Sequence, residues 1–292
     1  MKRTHPVEAM HRMNYRSLRA IIEDGRLMLR YEPRFDVVGG AVVGAHATVL
    51  CRNAFGGWEE SHQLQLLARA AGLSSDFAAW TYEEALKQCM HWQMNDVHWE
   101  VSLEISAEQL RDNRYCKGLL TTLSGLGFRP DRLTLELDAI DLERSRGGAC
   151  GYFERLIKIG VRVSIHGKEW LDVDRLVSPG MRVNEVKLSG RAHQHLKQSG
   201  IDASSLRSLL SARQTDPVRI SAAEVDSYGD YRERQAAGFD LAQGRHFCLP
   251  MQGDALLRLY QESLPRSGSV ASGGRAEMDA RRWIPAFRRF RR

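Results

Sequence analysis

Polar side chains that could do chemistry recur on one face of several β-like segments. Along residues 99–106, glutamates and serines alternate with apolar residues, which places Glu104 on a polar strand face. The same alternation sets Glu136, His166 and Lys187 opposite leucine, valine or isoleucine. Carboxylates and imidazoles gathered at one strand end could hold a metal ion or, with a lysine, an anion. Because a single such residue more often forms only a structural hydrogen bond, the prediction depends on their grouping.

Glu104 is predicted to lie at the carboxyl end of its strand. Residues 106–109 read Ser-Ala-Glu-Gln, which is the pattern of a capping box that begins a helix. In a barrel of parallel strands, the carboxyl ends form the functional face. We therefore expect the candidate residues at the mouth of a barrel.

The elements that must position these residues form a repeating β–α pattern. Such alternation favours an α/β fold with a parallel sheet, and eight strands favour a closed, TIM-like (β/α)8 barrel. Only residues 38–40 separate the first two strands, so this pair should be antiparallel. The predicted strands are 26–37, 41–50, 98–106, 132–138, 161–166, 183–188, 218–222 and 239–243. The predicted helices are 16–24, 61–71, 76–93, 151–159, 204–212, 228–237 and 254–263.

The composition is that of a folded protein without a membrane span or a disulfide framework. Of the 292 residues, 43% are hydrophobic and 27% are charged, and no apolar run approaches the roughly 20 residues that cross a bilayer. The five cysteines are scattered and never spaced C-x-x-C, which predicts neither disulfides nor a zinc–thiolate site. Residues 1–13 do not resemble a secretory signal. We expect a cytoplasmic protein, or one that is peripheral at the inner membrane.

Basic charge is concentrated at the end of the chain. Residues 266–292 hold eight arginines against two acidic residues, which accounts for the whole net charge of +6. The predicted organisation is an extension at 1–15, a barrel domain at 16–264, a flexible Ser/Gly linker at 265–276 and a basic aromatic tail at 277–292. The tail either is a solvated segment or binds an anionic membrane or nucleic acid. Its expected contact residues are Arg281, Arg282, Trp283, Phe287, Arg288, Arg289, Phe290, Arg291 and Arg292.

The order of the segments resembles the EAL domains of bacterial cyclic di-GMP signalling. The segments that carry the resemblance are residues 18–27, 31–33, 43–45, 101–110, 133–137, 160–163, 186–188 and 240–244, followed by Pro250. The resemblance covers about residues 16–251 and implies a barrel of EAL type with an antiparallel first strand. Enzymes of that family hydrolyse cyclic di-GMP with two divalent metal ions.

The resemblance fails at most positions where the family has its metal ligands. The Glu of the signature Glu-Ala-Leu is His46 here, and a pair of aspartates is replaced by His166 and Gly167. An Asp of the family is Ser189, and a Glu is Ala223. The remnant ligand-binding site implied by the resemblance consists of Glu104, which replaces an Asn, and the retained Glu136, Lys187 and Gln243.

These departures predict a protein without catalytic residues and without a cofactor. Two-metal hydrolysis needs two ions about 4 Å apart, held by oxygen ligands, and two carboxylates are too few for this. The resemblance then implies a catalytically inactive regulatory protein that acts through protein–protein interaction with a partner. A metal-independent cyclic di-GMP receptor is the alternative, and an active phosphodiesterase is a less favoured one. A homodimer also stays open.

One further interpretation concerns a single transition metal. His46, Glu104, Glu136 and His166 fall on four aligned ligand positions, and two imidazoles with two carboxylates would suit Zn²⁺. The favoured interpretation is a metal-free polar cluster in which the imidazoles pair with the carboxylates.

Overall fold

The computed structural model describes residues 20–52, 57–60, 64, 68, 72–144, 150–168, 182–212 and 216–264. The predicted extension at 1–15, the linker and the tail lie outside the described residues. So does most of the predicted helix at 61–71.

All eight predicted strands are confirmed, with ends that shift by at most two residues. A short additional strand, β3, was not predicted. The described strands are β1 (Leu27–Asp36), β2 (Val42–Arg52), β3 (Trp58–Glu60), β4 (Glu100–Ile105), β5 (Leu133–Asp138), β6 (Arg162–Gly167), β7 (Glu185–Leu188), β8 (Arg219–Ala222) and β9 (Leu241–Ala242).

The strands close into a barrel whose first strand runs against its neighbours. β1 pairs antiparallel with β2 along nearly its whole length, and with β9 only at Phe35 and Asp36. The remaining seams β2–β4, β4–β5, β5–β6, β6–β7, β7–β8 and β8–β9 are parallel, and β3 lies outside the barrel on the edge of β2. The predicted TIM-like barrel is therefore confirmed, including its antiparallel first pair.

Helices surround this sheet. They are α1 (Ser74–Met94), α2 (Asn113–Leu126), α3 (Ala139–Arg144), α4 (Gly151–Lys158), α5 (Gly190–Gln198), α6 (Ala203–Ser211), α7 (Tyr228–Ala236) and α8 (Gly253–Ser263). The sequence did not predict α2, α3 or α5. Within the described residues, no helix combines the length and the apolar character needed to cross a bilayer.

Strand alternation separates an apolar layer from a polar barrel interior. Leu103, Leu135 and Ile165 are completely or almost completely buried in the core shared with the helices. Their neighbours Ser102 and Ser164 are equally buried but lie among the polar residues of the barrel. Burial of the apolar strand faces against the helices stabilises the fold. The opposite strand faces line the barrel interior, where charged side chains pair with one another.

The capping box at 106–109 forms as predicted. The Ser106 hydroxyl accepts a hydrogen bond from the Gln109 N–H at 3.3 Å, and the Gln109 amide oxygen accepts one from the Ser106 N–H at 2.7 Å. It begins a 3-10 turn at Gln109–Arg111, whereas α2 begins four residues later behind the N-cap residue Asp112. Glu104 therefore lies at the carboxyl end of β4, as expected.

Candidate functional site

Strand register brings the predicted residues together at the mouth, which we define as the carboxyl ends of strands β4 to β8. Glu104 on β4 is aligned with Glu136 on β5. His166 on β6 is aligned with Asp138 on one side and with Lys187 on the other. Neighbouring parallel strands thus place two carboxylates, an imidazole and an ammonium group on the same polar face.

Glu136 is the buried centre of this group, with only 2% of its surface exposed. Its Oε2 accepts a hydrogen bond from Lys187 Nζ at 2.9 Å and lies 3.3 Å from His46 Nδ1. His46 Nδ1 also lies 3.1 Å from the hydroxyl oxygen of Ser102. Burial alone would raise the pKa of Glu136, but attraction to His46 and Lys187 outweighs it and holds the pKa well below its usual range. Glu136 is therefore an ionised carboxylate neutralised by the protein itself.

Lys168 makes a second ion-pair cluster nearer to solvent. Its Nζ lies 3.0 Å from Glu104 Oε1 and 3.1 Å from Asp138 Oδ2. Although burial acts against both charges, the contact lowers the pKa of Glu104 and raises that of Lys168. Both carboxylates thus share one ammonium group that the sequence analysis did not single out.

His166 is a neutral imidazole in this environment. Burial, followed by the positive charge of Lys187, lowers its pKa to about 3. Its Nε2 is buried and has no hydrogen-bond partner among the described residues. The predicted pairing of imidazole with carboxylate is seen for His46, which contacts Glu136. For His166, no carboxylate contact is found within the described part of the chain.

Gln243 joins the mouth to the antiparallel strand. Its side-chain amide donates a hydrogen bond to Glu32 Oε2, and Glu32 is paired across β1 and β2 with His46. Burial raises the pKa of Glu32, although Lys187, His46 and the Gln243 amide act in the opposite direction. Glu32 was not predicted, because its hydrogen bond to Gln243 joins two ends of the described chain and forms only when the barrel closes.

A second network fills the barrel below the mouth. Arg34 forms a buried ion pair with Glu185, and the Ser221 hydroxyl donates to Glu185 Oε1 at 2.8 Å. Arg219 connects Glu185 to Glu100, with guanidinium–carboxylate distances of 3.2 Å and 2.8 Å. The barrel interior below the mouth therefore contains paired charged side chains in place of apolar ones.

At two further positions where the family has carboxylates, this chain has Ser189 and Ala223, neither of which carries a carboxylate. Ser189 donates a hydrogen bond to the Lys168 carbonyl oxygen, and its hydroxyl accepts one from the Ala192 N–H at 3.1 Å as the N-cap of α5. Ala223 is buried and non-polar. The adjacent Glu224 has a left-handed backbone with φ of 57°, and its Oε2 accepts a hydrogen bond from the Gly190 N–H at 3.2 Å.

The residues present do not fit the two divalent cations that the family resemblance implies. Glu136 Oε2 already contacts an ammonium group and an imidazole, and Glu104 Oε1 and Asp138 Oδ2 both contact Lys168 Nζ. In the part of the chain that the structure describes, no three His, Cys, Asp or Glu side chains are grouped so that they could hold a metal ion. The four-residue zinc site stays the less favoured interpretation, beside the metal-free polar cluster.

A closed barrel with an antiparallel first pair and a polar mouth belongs to the class of β/α-barrels that carry their site at the strand carboxyl ends. The EAL domain family matches residues 15–250. The chain therefore belongs to the EAL domain family.

Two curated relatives are cyclic di-GMP enzymes. The bifunctional diguanylate cyclase/cyclic di-GMP phosphodiesterase MucR of Pseudomonas aeruginosa is 22% identical over 241 residues, covering 82% of this chain and 35% of MucR. The cyclic di-GMP phosphodiesterase PdeR of Escherichia coli is 22% identical over 253 residues, covering 86% of this chain and 38% of PdeR. The chain thus spans little more than a third of the length of either relative.

Solved structures confirm the fold. The MucR phosphodiesterase in complex with cyclic di-GMP superposes with a TM-score of 0.67 at 22% identity, covering 82% of this chain and 98% of that one. The Xanthomonas citri FimX EAL domain in complex with cyclic di-GMP also gives a TM-score of 0.67, at 15% identity, covering 84% of this chain and 96% of that one.

Proposed function

We propose that this EAL domain is non-catalytic and acts in cyclic di-GMP signalling by binding a regulatory partner protein. The observation that carries the proposal is that the two remaining carboxylates of the site, Glu104 and Glu136, are each paired with a lysine of the protein itself. Lys187 and His46 contact Glu136, and Lys168 contacts Glu104.

The chemistry of hydrolysis supports this proposal. Two metal ions must be held close together by hard oxygen ligands to activate water and stabilise the transition state. Positions 46 and 166 offer imidazoles, which are poor magnesium ligands, and positions 189 and 223 offer no carboxylate. The ammonium groups of Lys168 and Lys187 would also repel an incoming divalent ion.

Hydrolysis of cyclic di-GMP by the purified full chain, with Mg²⁺ or Mn²⁺, tests the absence of catalysis. We expect no turnover. The matched control is Glu136→Ala, which removes the central carboxylate of the mouth. Turnover that disappears in this variant would overturn the proposal, whereas equal trace turnover in both proteins identifies a contaminant.

A metal-independent cyclic di-GMP receptor is the second candidate function. Two observations favour it: solved relatives hold this nucleotide, and Lys168, which is partly exposed, and the buried Lys187 place ammonium groups at the mouth. A phosphate group could contact such cations directly.

Thermal unfolding with and without saturating cyclic di-GMP separates the two candidates. A ligand that binds only the native state must raise the Tm, so an unchanged Tm supports the partner-binding proposal. The receptor requires a rise that survives chelation of metal and is weakened by Lys187→Ala. Lys87→Ala, which removes an exposed ion pair on α1, is the control.

A further inference from the structure

The packing of α2 against α4 brings two of the five cysteines together. Cys116 lies near the start of α2, and Cys150 is the N-cap residue of α4. We propose that these two thiols are a reversible modification site, in which hydrogen peroxide joins them in a disulfide. The proposal does not depend on the proposed function, because it concerns oxidation of the chain in the absence of any nucleotide or partner.

One carbonyl group shows how close the two cysteines lie. The Leu110 carbonyl oxygen accepts a hydrogen bond from the Cys150 N–H at 3.2 Å and lies 3.9 Å from Cys116 Sγ. Cys116 Sγ also donates to the Gln109 carbonyl oxygen at 3.4 Å. The Cys116 sulfur and the Cys150 nitrogen are therefore no more than about 7 Å apart, a separation that a disulfide can span.

The two side chains also contact each other. Burial raises the pKa of the Cys116 thiol, and a hydrogen bond with the Cys150 side chain raises it further. Cys116 is completely buried, whereas Cys150 is partly exposed and makes no capping hydrogen bond with its helix. A small oxidant therefore reaches Cys150 first, and Cys116 is the protonated thiol beside it.

The other three cysteines have different surroundings. Cys89 and Cys248 are buried, and their thiols donate to backbone carbonyl groups. Cys51 on β2 is partly exposed, as Cys150 is, and its thiol donates to the Arg52 carbonyl oxygen at 3.6 Å. Cys51 is thus a matched control for the accessibility of Cys150.

The reaction balances with hydrogen peroxide as the only co-reactant. The Cys150 thiolate attacks one peroxide oxygen, the O–O bond breaks, and a sulfenic acid and a hydroxide ion form. The Cys116 sulfur then attacks the sulfenic sulfur, the S–S bond forms, and the sulfenic oxygen leaves as water with the Cys116 proton. Each sulfur loses one electron, and the peroxide is reduced. The new bond closes a loop, residues 116–150, that contains β5 and therefore Glu136.

The test is oxidation of the folded full chain with stoichiometric hydrogen peroxide, followed by unfolding, alkylation of the remaining thiols and tryptic mapping without reductant. We expect the peptides 115–117 and 147–155, which contain Cys116 and Cys150, to be joined. Dithiothreitol should separate them. Cys51→Ser removes the other partly exposed thiol and should give the same joined peptides in the same yield.

Two further variants assign the role of each thiol. Cys116→Ala should leave Cys150 as a sulfenic acid, with at least about fivefold more dimedone adduct than in the wild type. Cys150→Ala should leave the buried Cys116 reduced. If Cys116→Ala does not fold, Cys116→Ser keeps a donor for the Gln109 carbonyl oxygen and should show the same gain of adduct. The absence of joined peptides in the folded wild type, or an equal yield of a disulfide to another cysteine, overturns the proposal.

Discussion

At the scale of single residues, the stability of the charged barrel interior depends on the pairing of each buried charge with an opposite one. Arg34 and Glu185 are both almost completely inaccessible to solvent and contact each other. Burial would raise the pKa of Glu185, but Arg34 and Arg219 hold it below its usual value. Removing one member therefore leaves the other as a buried, uncompensated charge.

Arg34→Met should lower the free energy of unfolding by about 3–5 kcal/mol, as expected when a buried pair is broken. Chemical denaturation measures this change. Adding Glu185→Gln should recover part of the loss, because it removes the unpaired charge. Arg30→Met, at a less buried position of the same strand, should change stability by no more than about 0.5 kcal/mol. Equal losses in both methionine variants would contradict the role of the pair.

His193 on α5 should make stability fall in mild acid. Burial, followed by the charge of Arg234, lowers its pKa, although Glu233 at 3.6 Å acts in the opposite direction and Lys197 adds further repulsion. The unfolded chain therefore binds the proton more readily than the folded chain. The stabilising contribution is complete above the unfolded pKa of about 6.5 and is lost as the pH falls towards the lower folded value.

His193→Gln should consequently flatten the pH dependence of stability between neutral pH and the mild acid range. The slope that one group can contribute is at most about 1.4 kcal/mol per pH unit. Denaturant titrations at a series of pH values measure it. The comparison is His195→Gln, two residues away on the exposed side of α5. If the free energy of unfolding depends on pH equally in the His193 variant and the wild type, the pKa of this imidazole does not differ between the folded and unfolded chains.

At the scale of elements, the seam between β2 and β4 leaves no room for a side chain at Gly44. A Cβ atom there would lie 2.6 Å from the Glu100 carbonyl oxygen, which is backbone and cannot rotate away. The two strands carry His46 and Glu104 into the mouth. Close packing at this glycine therefore helps to set the position of both site residues.

Gly44→Ala should destabilise the protein by about 1–3 kcal/mol, because the strands must separate to admit the methyl group. Gly125→Ala is a matched change in α2, where a Cβ meets nothing within 4 Å. That variant should be neutral or slightly stabilising, since alanine favours the helix. Thermal unfolding of both proteins checks the contrast, and similar Tm values would refute the packing argument.

Strands were easier to predict from the sequence than helices. The alternation that identifies β4 to β7 is strong because one face must enter the apolar core and the other the polar interior. In contrast, α5 has few apolar residues, and one of its buried side chains is His193. Its start signal, the N-cap Ser189, is visible in the sequence, but the family resemblance aligns this position with a lost Asp. Propensity and periodicity could not reveal a helix whose buried face is partly polar.

The candidate site was predictable where it depends on a single strand. Glu104, Glu136 and Lys187 lie where the alternation places them. Lys168 and Glu32 were missed for a different reason: Lys168 lies just beyond its strand, and Glu32 reaches the site only through barrel closure. Contacts of this kind join distant parts of the chain and leave no local pattern.

At the scale of the whole molecule, charge divides the chain into two parts. The formal charge of residues 1–265 sums to zero, and residues 266–292 carry the whole excess. Deleting residues 266–292 should leave the Tm and the circular dichroism spectrum unchanged, while association with anionic liposomes or nucleic acid falls sharply at low salt. Sedimentation with liposomes measures the difference. Equal binding by the truncated protein would remove the predicted role of the tail.

The strand pairings that close the barrel differ in length. β1 is paired with β2 along nearly its whole length but with β9 only at Phe35 and Asp36. β9 itself is two residues long. Local opening costs least where the fewest backbone hydrogen bonds must break. The ring should therefore open at β9, whose seams with β1 and β8 each pair only two residues, before the protein unfolds. Hydrogen–deuterium exchange should therefore be faster for the amides of β9 than for those of β5. Equal protection of the two strands would mean that the ring opens only by complete unfolding.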